Sequence, residues 1–497
     1  MQQNIYAFLT EIAARRGEAP ALRFGDQTLS YRQLLVEIDR AVAGLRAQSV
    51  GNGTSFAMLC ENRPDLMIAY YAAARLGGVF VPINPSLTAR EVTHIVDHSG
   101  AVTLFHDEAM RMVAEQAVPA ERRNVLDALS GASPAGSTLA AIEPSDDFLI
   151  IYTSGSTGAP KAVLFDQRAE IAGNASLIEM WGISEKDITL VALPLGFLYG
   201  LSTAAATGLQ AGGQVVIQRR FHPGEVLRAL VARRASIYHG VPTMYTMMLD
   251  YAEQNDLSID LSFMHLMICA GAPLSAELKA RFQARFGKAI DDYYALTEVR
   301  PVFGRFAGDS RPIPNGAIGR SAPGAVIRIV DGSGADVPDG AHGELLVRAP
   351  STLKRYFKDE GLTSAAFQDG FFRTGDLGYR DAHGFYHLTG RIKDIIIRGG
   401  ANIAPAEVEG VIARHRDVQS AAVIGVPDRK YGEVAVAFVI CRGGTRVPTD
   451  ELTSLCKREL AEYKVPADFR FVTEFPLGIT GKVDKNALKA LWAKGQA

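Results

Sequence analysis

Short apolar runs alternate with longer runs of helical spacing along the first part of the chain. The run SFAMLC (residues 55–60) predicts a strand, residues 63–78 predict a helix closed by a Gly pair, and VFVPIN (79–84) predicts the next strand. A helix over 88–100 and a strand over 101–106 follow. This succession is typical of βαβ units around a parallel sheet.

The alternation resumes after a weakly patterned segment. Residues 108–145 are rich in Ala, Ser and Pro and are predicted to lead over the surface. The apolar stretch DFLIIYTSG (147–155) predicts a strand that runs into a loop of small residues. Two further strands are predicted over 236–242 and 289–298, each preceded by a helix. The fold class is therefore α/β.

Two changes of pattern indicate how the chain is organised. From about residue 318 to 389, apolar positions recur with period two between Gly-rich turns, which predicts a small antiparallel sheet or barrel. After GRIKD (390–394), helices and strands of a separate α+β unit follow. We place the domain boundary between Ile392 and Lys393, which gives domains of residues 1–392 and 393–497.

Composition excludes several classes of partner. The 497 residues are 47% apolar and 21% charged, with a net charge of −2, which favours neither nucleic acid nor an anionic membrane. The sequence predicts no membrane-spanning run and no secretory signal, since residues 1–18 read as an amphipathic helix. The four Cys have no metal-ligand spacing and predict reduced thiols in a cytoplasmic protein.

The stretch YTSGSTGAPK (152–161) combines Gly, hydroxyl side chains and a lysine after a predicted strand. Gly allows close backbone approach, hydroxyl groups donate hydrogen bonds and Lys adds positive charge, a combination that suits a triphosphate. The Walker A spacing is not met, because Gly158 follows Gly155 too closely and Pro160 precedes Lys161. The stretch predicts a different phosphate loop, with a flexible surface linker as the alternative.

Further motifs follow this loop in order along the chain: GAP (271–273), YALTE (294–298), GAIGRSAPG (316–324), RTGDL (373–377), GRIKD (390–394) and PLGITGKVD (476–484). The ordered series resembles the ANL superfamily of adenylate-forming enzymes, which comprises acyl- and aryl-CoA synthetases, carrier-protein adenylation domains and insect luciferases. The resemblance covers essentially the whole chain. It implies a large domain of βαβ subdomains with a small β-barrel-like subdomain, then a mobile α+β lid, with the active site in the cleft between them.

The resemblance implies a reaction in two steps, with ATP, Mg²⁺ and CoA. A carboxylate and ATP form an acyl-AMP and pyrophosphate, and a thiol then displaces AMP. The phosphates are expected to contact Thr153, Ser154, Gly155, Ser156, Thr157, Gly158 and Lys161, with Thr157 and Glu298 on the metal side. Adenine and ribose are expected to contact Gly271, Ala272, Pro273, Tyr294, Ala295, Thr297, Asp376 and Arg391. Outside this context Glu298 is typical of a surface acid, Tyr294 of core and Asp376 of a turn.

The C-terminal unit has its own implied roles. Lys482 corresponds to the family's lysine that bridges the carboxylate and the α-phosphate during adenylation, as a point charge. Lys393 falls at the family's hinge, about which the unit rotates for the thiol step. Gly399 and Gly400 then line the pantetheine tunnel. Lys482 is also the natural target for regulation by acetylation, which would remove its charge.

The segment LPLGFLYGL (193–201) departs from a common family pattern, P-x-F-H-x-x-G. Gly196 stands at the usual aromatic position and Phe197 at the usual His, which puts any His-gated access of the carboxylate in doubt. FLYGL and YHGVPTMY instead resemble benzoate-type CoA ligases. We expect an apolar pocket for an aryl or alkyl acid, lined by Phe197, Tyr199, His239, Gly240, Val241, Ala270, Ala295 and Val299. Arg300, just after Val299, leaves open whether the substrate carries a second carboxylate.

Several alternatives remain at this point. The thiol could belong to a separate carrier protein rather than CoA. A luciferase-like oxygenase leaves little trace in a sequence, whereas a non-catalytic relative is disfavoured because Glu298, Asp376 and Lys482 are all present. The oligomeric state is open, a dimer included.

Overall fold

The structure is a computed structural model that describes residues 4–130, 142–153, 160–309, 311–314, 316–444, 447–477 and 483–495. The chain divides into two compact units. The first comprises residues 1–313, 318–327 and 347–372, and the second comprises 314–317, 328–346 and 373–497. The predicted boundary at 392/393 lies inside the second unit, so the two-domain division with a hinge at Lys393 stays a prediction.

The first unit contains two large sheets. One has the strand order Arg355–Tyr356, Lys161–Asp166, Asp147–Thr153, Val79–Ile83, Ser55–Leu59, Leu104–His106, Arg123–Val125. The other runs in the order Ala317–Ser321, Phe303–Gly304, Asp291–Tyr294, Leu266–Cys269, Ile237–Gly240, Ile188–Val191, Gln214–Ile217, Pro20–Phe24, Gln27–Ser30. Six neighbouring strands of this second sheet, from Asp291–Tyr294 to Pro20–Phe24, are parallel.

Helices connect these strands, as the βαβ pattern predicts. They are Ile5–Arg16, Tyr31–Ala47, Pro64–Leu76, Ala89–Ser99, Arg111–Ala117, Asp127–Ser130, Gln167–Trp181, Thr207–Gln210, Pro223–Ala232, Pro242–Gln254, Ala276–Phe286 and Glu360–Ala365, with Tyr199–Ala206 wound as a π-helix. The helix Ala89–Ser99 shows why its ends fall where they do. Thr88 and Glu91 form a reciprocal capping box, and Gly100 ends the helix in the left-handed conformation. No helix among the described ranges has the length and apolarity to cross a bilayer.

The second unit holds antiparallel strands and a five-stranded sheet. Its strands are Val326–Val330, Gly343–Arg348, Phe371–Arg380, Tyr386–Arg391, Ile396–Arg398, Ala401–Ile403, Val418–Asp428, Gly432–Cys441 and Asp468–Phe471. Three of these strands, Val326–Val330, Gly343–Arg348 and Phe371–Arg380, have one end that is counted in the first unit. The helices Pro405–Ile412 and Thr449–Glu459 cover one face of the five-stranded sheet, and Lys485–Lys494 covers the other. Both the antiparallel region and the α+β unit agree with the predicted pattern.

Two sequence predictions need correction. The segment 108–145 contains a helix, Arg111–Ala117, and a strand, Arg123–Val125, which pairs in parallel with Leu104–His106 and forms the edge of its sheet. Edge strands are often very short. The Ala-, Ser- and Pro-rich composition of this segment therefore gave no pattern from which the strand could be predicted. The strand predicted over 289–298 ends at Tyr294, and residues 295–298 form a loop.

A buried ion pair joins three parts of the first unit. Arg300 Nη2 donates to Glu170 Oε1 at 2.6 Å, and the two side chains are 1% and 0% exposed. Asn174 Oδ1 accepts from Arg300 Nη1 at 3.1 Å. Ser202, in the π-helix, accepts from Arg300 at 2.6 Å and donates to Glu170. The network therefore fixes the helix Gln167–Trp181, the π-helix and the short strand Val299–Arg300 to one another.

We expect Glu170→Gln to lower the free energy of unfolding by about 3–5 kcal/mol, because it leaves the Arg300 charge buried and uncompensated. Urea or thermal denaturation measures this loss. Glu185→Gln is the matched control, because it removes an exposed partner, 2.8 Å from Arg16, for which about 0–1 kcal/mol is expected. Equal losses in the two variants would contradict the role of the buried pair.

Candidate active site

Four of the predicted motif segments leave the parallel sheet at one edge. The strands Ile188–Val191, Ile237–Gly240, Leu266–Cys269 and Asp291–Tyr294 are parallel neighbours. Gly240 lies opposite Cys269, and Cys269 lies opposite Asp292. The carboxyl ends of parallel strands meet at the same edge of a sheet, which is where ligands bind in open α/β folds. LPLGFLYGL, YHGVP, GAP and YALTE therefore converge there.

An aromatic cluster lies at this edge. Tyr199, Ala270 and Ala295, all predicted to line the acyl pocket, pack in one apolar cluster with Trp181 and Tyr293. The indole of Trp181 meets the Tyr293 ring edge-on, with centroids 5.0 Å apart. Sequence reasoning missed Trp181 and Tyr293, because an aromatic residue in a helix or strand is indistinguishable from ordinary core.

His239 belongs to the same cluster. Its ring is 1% exposed and lies edge-on to Trp181 at 5.4 Å and to Tyr199 at 5.6 Å. Burial lowers the pKa of His239 to about 3, so the imidazole is neutral at physiological pH. The hydroxyl of Tyr199 donates to the carbonyls of Gly240 (3.4 Å) and Ile268 (3.3 Å), which fixes this ring against the strand ends.

The other predicted lining residues lie in different surroundings. A Cβ added at Gly240 would stand 2.9 Å from the Tyr245 ring, so glycine is needed there for core packing. Phe197 and Val241 are half-buried. Val299 is fully buried and pairs with Thr352 in a short two-stranded sheet. Their part in a pocket stays a prediction.

Gly196 explains the departure from the P-x-F-H-x-x-G pattern. A Cβ at this position would stand 2.7 Å from the backbone of Asn84 and 2.9 Å from that of Ile83. No side chain fits such a close backbone approach without a shift of the chain. The aromatic residue common at this position is therefore sterically excluded here.

The predicted phosphate loop joins two antiparallel strands. Asp147–Thr153 pairs with Lys161–Asp166, and Thr153 lies opposite Lys161. Tyr152, just before the loop, shares a 2.8 Å hydrogen bond with His98 Nδ1. Of the predicted phosphate contacts, Ser154, Gly155, Ser156, Thr157 and Gly158 lie outside the described residues, as does Lys482.

Lys161 and Glu298 contact the same tyrosine. Lys161 Nζ lies 5.3 Å from the centre of the Tyr356 ring, and the hydroxyl of Tyr356 donates to Glu298 Oε1 at 3.0 Å. Burial and the Glu298 charge raise the pKa of Tyr356, so it stays a neutral donor. The strand Arg355–Tyr356 reaches this position by pairing with Val163 and Leu164. No motif marked Tyr356, because it lies 58 residues from Glu298 in the sequence.

Tyr294 is 8% exposed and stacks on Phe303, with ring centroids 4.6 Å apart and planes at 21°. The predicted partner segment Gly271–Ala272–Pro273 is exposed and follows the neighbouring strand. Thr297 is half-buried in the loop before Glu298. The predicted adenine contacts of the first unit thus lie on the ends of adjacent strands.

Asp376 and Arg391 meet within the second unit. They lie opposite each other in the antiparallel pair Phe371–Arg380 and Tyr386–Arg391, and Arg391 Nε is 2.7 Å from Asp376 Oδ1. The Asp376 residue is 3% exposed. Glu344, which no motif marked, holds the turn before it by accepting from Arg373 Nη2 at 2.7 Å and from Gly375 N at 3.3 Å.

Gly399 and Gly400 form the two-residue turn between Ile396–Arg398 and Ala401–Ile403. Their φ values of 56° and 85° are those of a tight hairpin that favours glycine at both positions. Gly399 N donates to Tyr431 O at 2.7 Å, which ties the turn to the adjacent segment. Lys393 is exposed in a short 3₁₀ turn, Ile392–Asp394.

Glu298 is a suitable ligand for Mg²⁺. Within the described ranges, no group of three or more His, Cys, Asp or Glu side chains is arranged to hold a metal ion. Mg²⁺ in nucleotide sites needs no such cage, because one or two carboxylates and the substrate phosphates suffice. A single carboxylate that contacts the same tyrosine as Lys161 therefore fits the ion that accompanies ATP.

Comparison with known proteins agrees with these features. The family model "AMP-binding enzyme" matches residues 9–357, and "AMP-binding enzyme C-terminal domain" matches 407–482. The chain is 34% identical to a feruloyl-CoA synthase of Amycolatopsis over 95% of both chains. It is 32% identical to an indoleacetate–CoA ligase of Aromatoleum aromaticum, again over 95% of both.

Among solved structures, ATP-bound MatB from Rhodopseudomonas palustris superposes with a TM-score of 0.90 at 29% identity, over 99% of both chains. The ordered motifs, the fold and these matches agree over the whole length of the chain. The chain belongs to the AMP-binding enzymes of the ANL superfamily and is an AMP-forming acid–thiol ligase.

Proposed function

We propose that the acid is an apolar aromatic carboxylate and that the thiol is that of CoA. The aromatic cluster of Trp181, Tyr199, His239 and Tyr293 at the carboxyl edge of the sheet supports the substrate class. Edge-to-face packing against several rings favours a flat ring. The names of the feruloyl-CoA and indoleacetate relatives, which both denote aromatic acids, agree with this choice.

The Arg300 side chain does not suit a second carboxylate on the substrate. Its Nη atoms donate to Glu170, Asn174 and Ser202, and it is 1% exposed. A medium or long alkyl acid, which would also bind by burial, is the other substrate class that the pocket allows.

In the proposed first step, a carboxylate oxygen attacks the α-phosphorus of ATP, and the bond to the bridging oxygen breaks to release pyrophosphate. Lys161 and the hydroxyl side chains of Thr153, Ser154, Ser156 and Thr157 bind the β- and γ-phosphates, with the backbone of Gly155 and Gly158. Mg²⁺, held by Glu298 and Thr157, neutralises phosphate charge when bound. Tyr356 holds the Glu298 carboxylate in place through its 3.0 Å hydrogen bond.

Adenine and ribose have separate sets of proposed contacts. Tyr294, whose ring stacks on Phe303, contacts adenine. Asp376 accepts hydrogen bonds from the ribose hydroxyls, and Arg391, 2.7 Å from it, orients the carboxylate and contacts ribose or phosphate.

In the second step, the thiol loses its proton and its sulfur attacks the acyl carbon, so that AMP leaves with the electron pair of the broken C–O bond. Rotation about Lys393 exchanges Lys482 for the Gly399–Gly400 turn between the steps.

The four cysteines carry free thiols, which supports a location in the cytoplasm. A carrier protein as the thiol donor is the alternative.

The function is tested with purified protein, ATP, Mg²⁺, CoA and pooled benzoates, cinnamates and fatty acids. Mass spectrometry is expected to detect aryl-CoA products and AMP. Fatty acyl-CoA alone would refute the aromatic substrate class. Acyl-AMP and pyrophosphate without a thioester would instead identify a carrier protein as the acceptor.

Glu298→Gln is expected to lower the rate of ATP–pyrophosphate exchange by about 10²-fold, because it removes the carboxylate for Mg²⁺. It should also raise the Mg²⁺ concentration needed for half-maximal rate. Tyr356→Phe keeps the carboxylate and should have a smaller effect on both quantities. Glu185→Gln, which removes an exposed carboxylate paired with Arg16, is the control. An unchanged Mg²⁺ requirement in Glu298→Gln would refute the metal role.

Lys482→Ala is expected to abolish ATP–pyrophosphate exchange while thioester formation from a presynthesised aryl-AMP continues, because the lysine charge is needed only for adenylation. Lys489→Ala, at an exposed position nearby, should leave both half-reactions unchanged. Wild-type exchange in Lys482→Ala would show that the proposed mechanism is wrong.

A further inference from the structure

Two buried polar atoms lack partners in the aromatic cluster at the sheet edge. Nδ1 of His239 and the hydroxyl of Tyr293 accept or donate no hydrogen bond within the described part of the chain. The two residues are only 1% and 5% exposed. Leaving such an atom unsatisfied is energetically unfavourable, so nearly all buried polar groups in proteins have partners.

Both atoms belong to side chains that contact Trp181. Ring centroids of His239 and Tyr293 are 5.4 Å and 5.0 Å from that of the indole. Both side chains stand on strands at the carboxyl edge, where Ala270 and Ala295 also pack. These two unpartnered atoms therefore lie inside the cluster proposed to receive the acyl group.

Their neighbours do not compete for a ligand. The Tyr199 hydroxyl is already directed at two backbone carbonyls, and the Nη atoms of Arg300 are committed to the Glu170 network. Within this cluster, His239 Nδ1 and the Tyr293 hydroxyl are fully buried side-chain polar atoms without a hydrogen-bond partner among the described residues.

The charge states of the pair decide what kind of group it binds. Burial lowers the pKa of His239 to about 3 and raises that of Tyr293, so both rings are neutral at physiological pH. A neutral imidazole and a phenol pair with an uncharged donor or acceptor, whereas a second carboxylate would stay without a counter-charge.

We propose that the substrate ring carries an uncharged hydrogen-bonding substituent, such as a hydroxyl or amino group, which His239 and Tyr293 bind. This inference rests on the proposed aromatic-acid function and narrows it. The two residues determine specificity and take no part in the bond changes of either step.

The test compares benzoate with its 2-, 3- and 4-hydroxy and amino derivatives, and cinnamate with 4-hydroxycinnamate. We expect wild-type kcat/KM to be about tenfold higher for a substituted acid than for its parent for each neutral hydrogen bond formed. His239→Phe and Tyr293→Phe should each lower this ratio toward one. The rate with the unsubstituted acid is the reference for each variant's ratio, and circular dichroism with thermal denaturation checks that both variants fold.

Tyr245→Phe is the matched control. It also removes a buried tyrosine hydroxyl, but this one donates to Ile268 O at 2.7 Å and belongs to a different apolar cluster. In Tyr245→Phe, the ratio of kcat/KM for the substituted acid to that for its parent acid should equal the wild-type ratio.

Three results would overturn the inference. If the wild type prefers no substituted acid, or if the ratio survives in both variants, the unpartnered atoms have no role in recognition, although aryl-CoA formation stands. If no aromatic acid is adenylated but fatty acids are, the aromatic-acid proposal is itself wrong, and this inference with it.

Discussion

The ion pair between Arg300 and Glu170 is the constraint on which the catalytic edge of the first unit depends. Neither charge reaches water, so each needs the other, together with Asn174 and Ser202. The pair joins the helix Gln167–Trp181, which carries Trp181, to the π-helix that begins at Tyr199 and to the strand that follows Glu298. The aromatic cluster and Glu298, the proposed metal ligand, are thus held by one buried network.

Much of this arrangement follows from the sequence. The βαβ pattern predicts a parallel sheet, and a parallel sheet brings LPLGFLYGL, YHGVP, GAP and YALTE to one edge whatever the details of packing. The ordered motifs likewise point to the phosphate hairpin, to Glu298 and to Asp376. These inferences need only local pattern and topology.

The contacts made across long sequence distances could not be predicted. Tyr356 reaches Glu298 because a two-residue strand pairs with Val163 and Leu164, a register that no local pattern encodes. Glu344 supports the turn before Asp376 by accepting a hydrogen bond from Gly375 N, which lies 31 residues away in the sequence. The need for glycine at position 196 comes from the close approach of the Asn84 backbone. The sequence alone showed that this position departs from the family pattern, but not why.

The hairpin that presents the phosphate loop differs electrostatically from a loop that opens a helix. The next helix begins only at Gln167, and Asp166 already accepts from Ala169 N at its first turn. In the described part of the chain, a strand and not a helix follows the loop directly, so the loop does not open a helix whose macrodipole would add a positive potential. In the proposed mechanism, the attraction for polyphosphate therefore comes from the side chains and backbone of the loop and not from a helix that starts there, so no such fixed field retains pyrophosphate once it is detached.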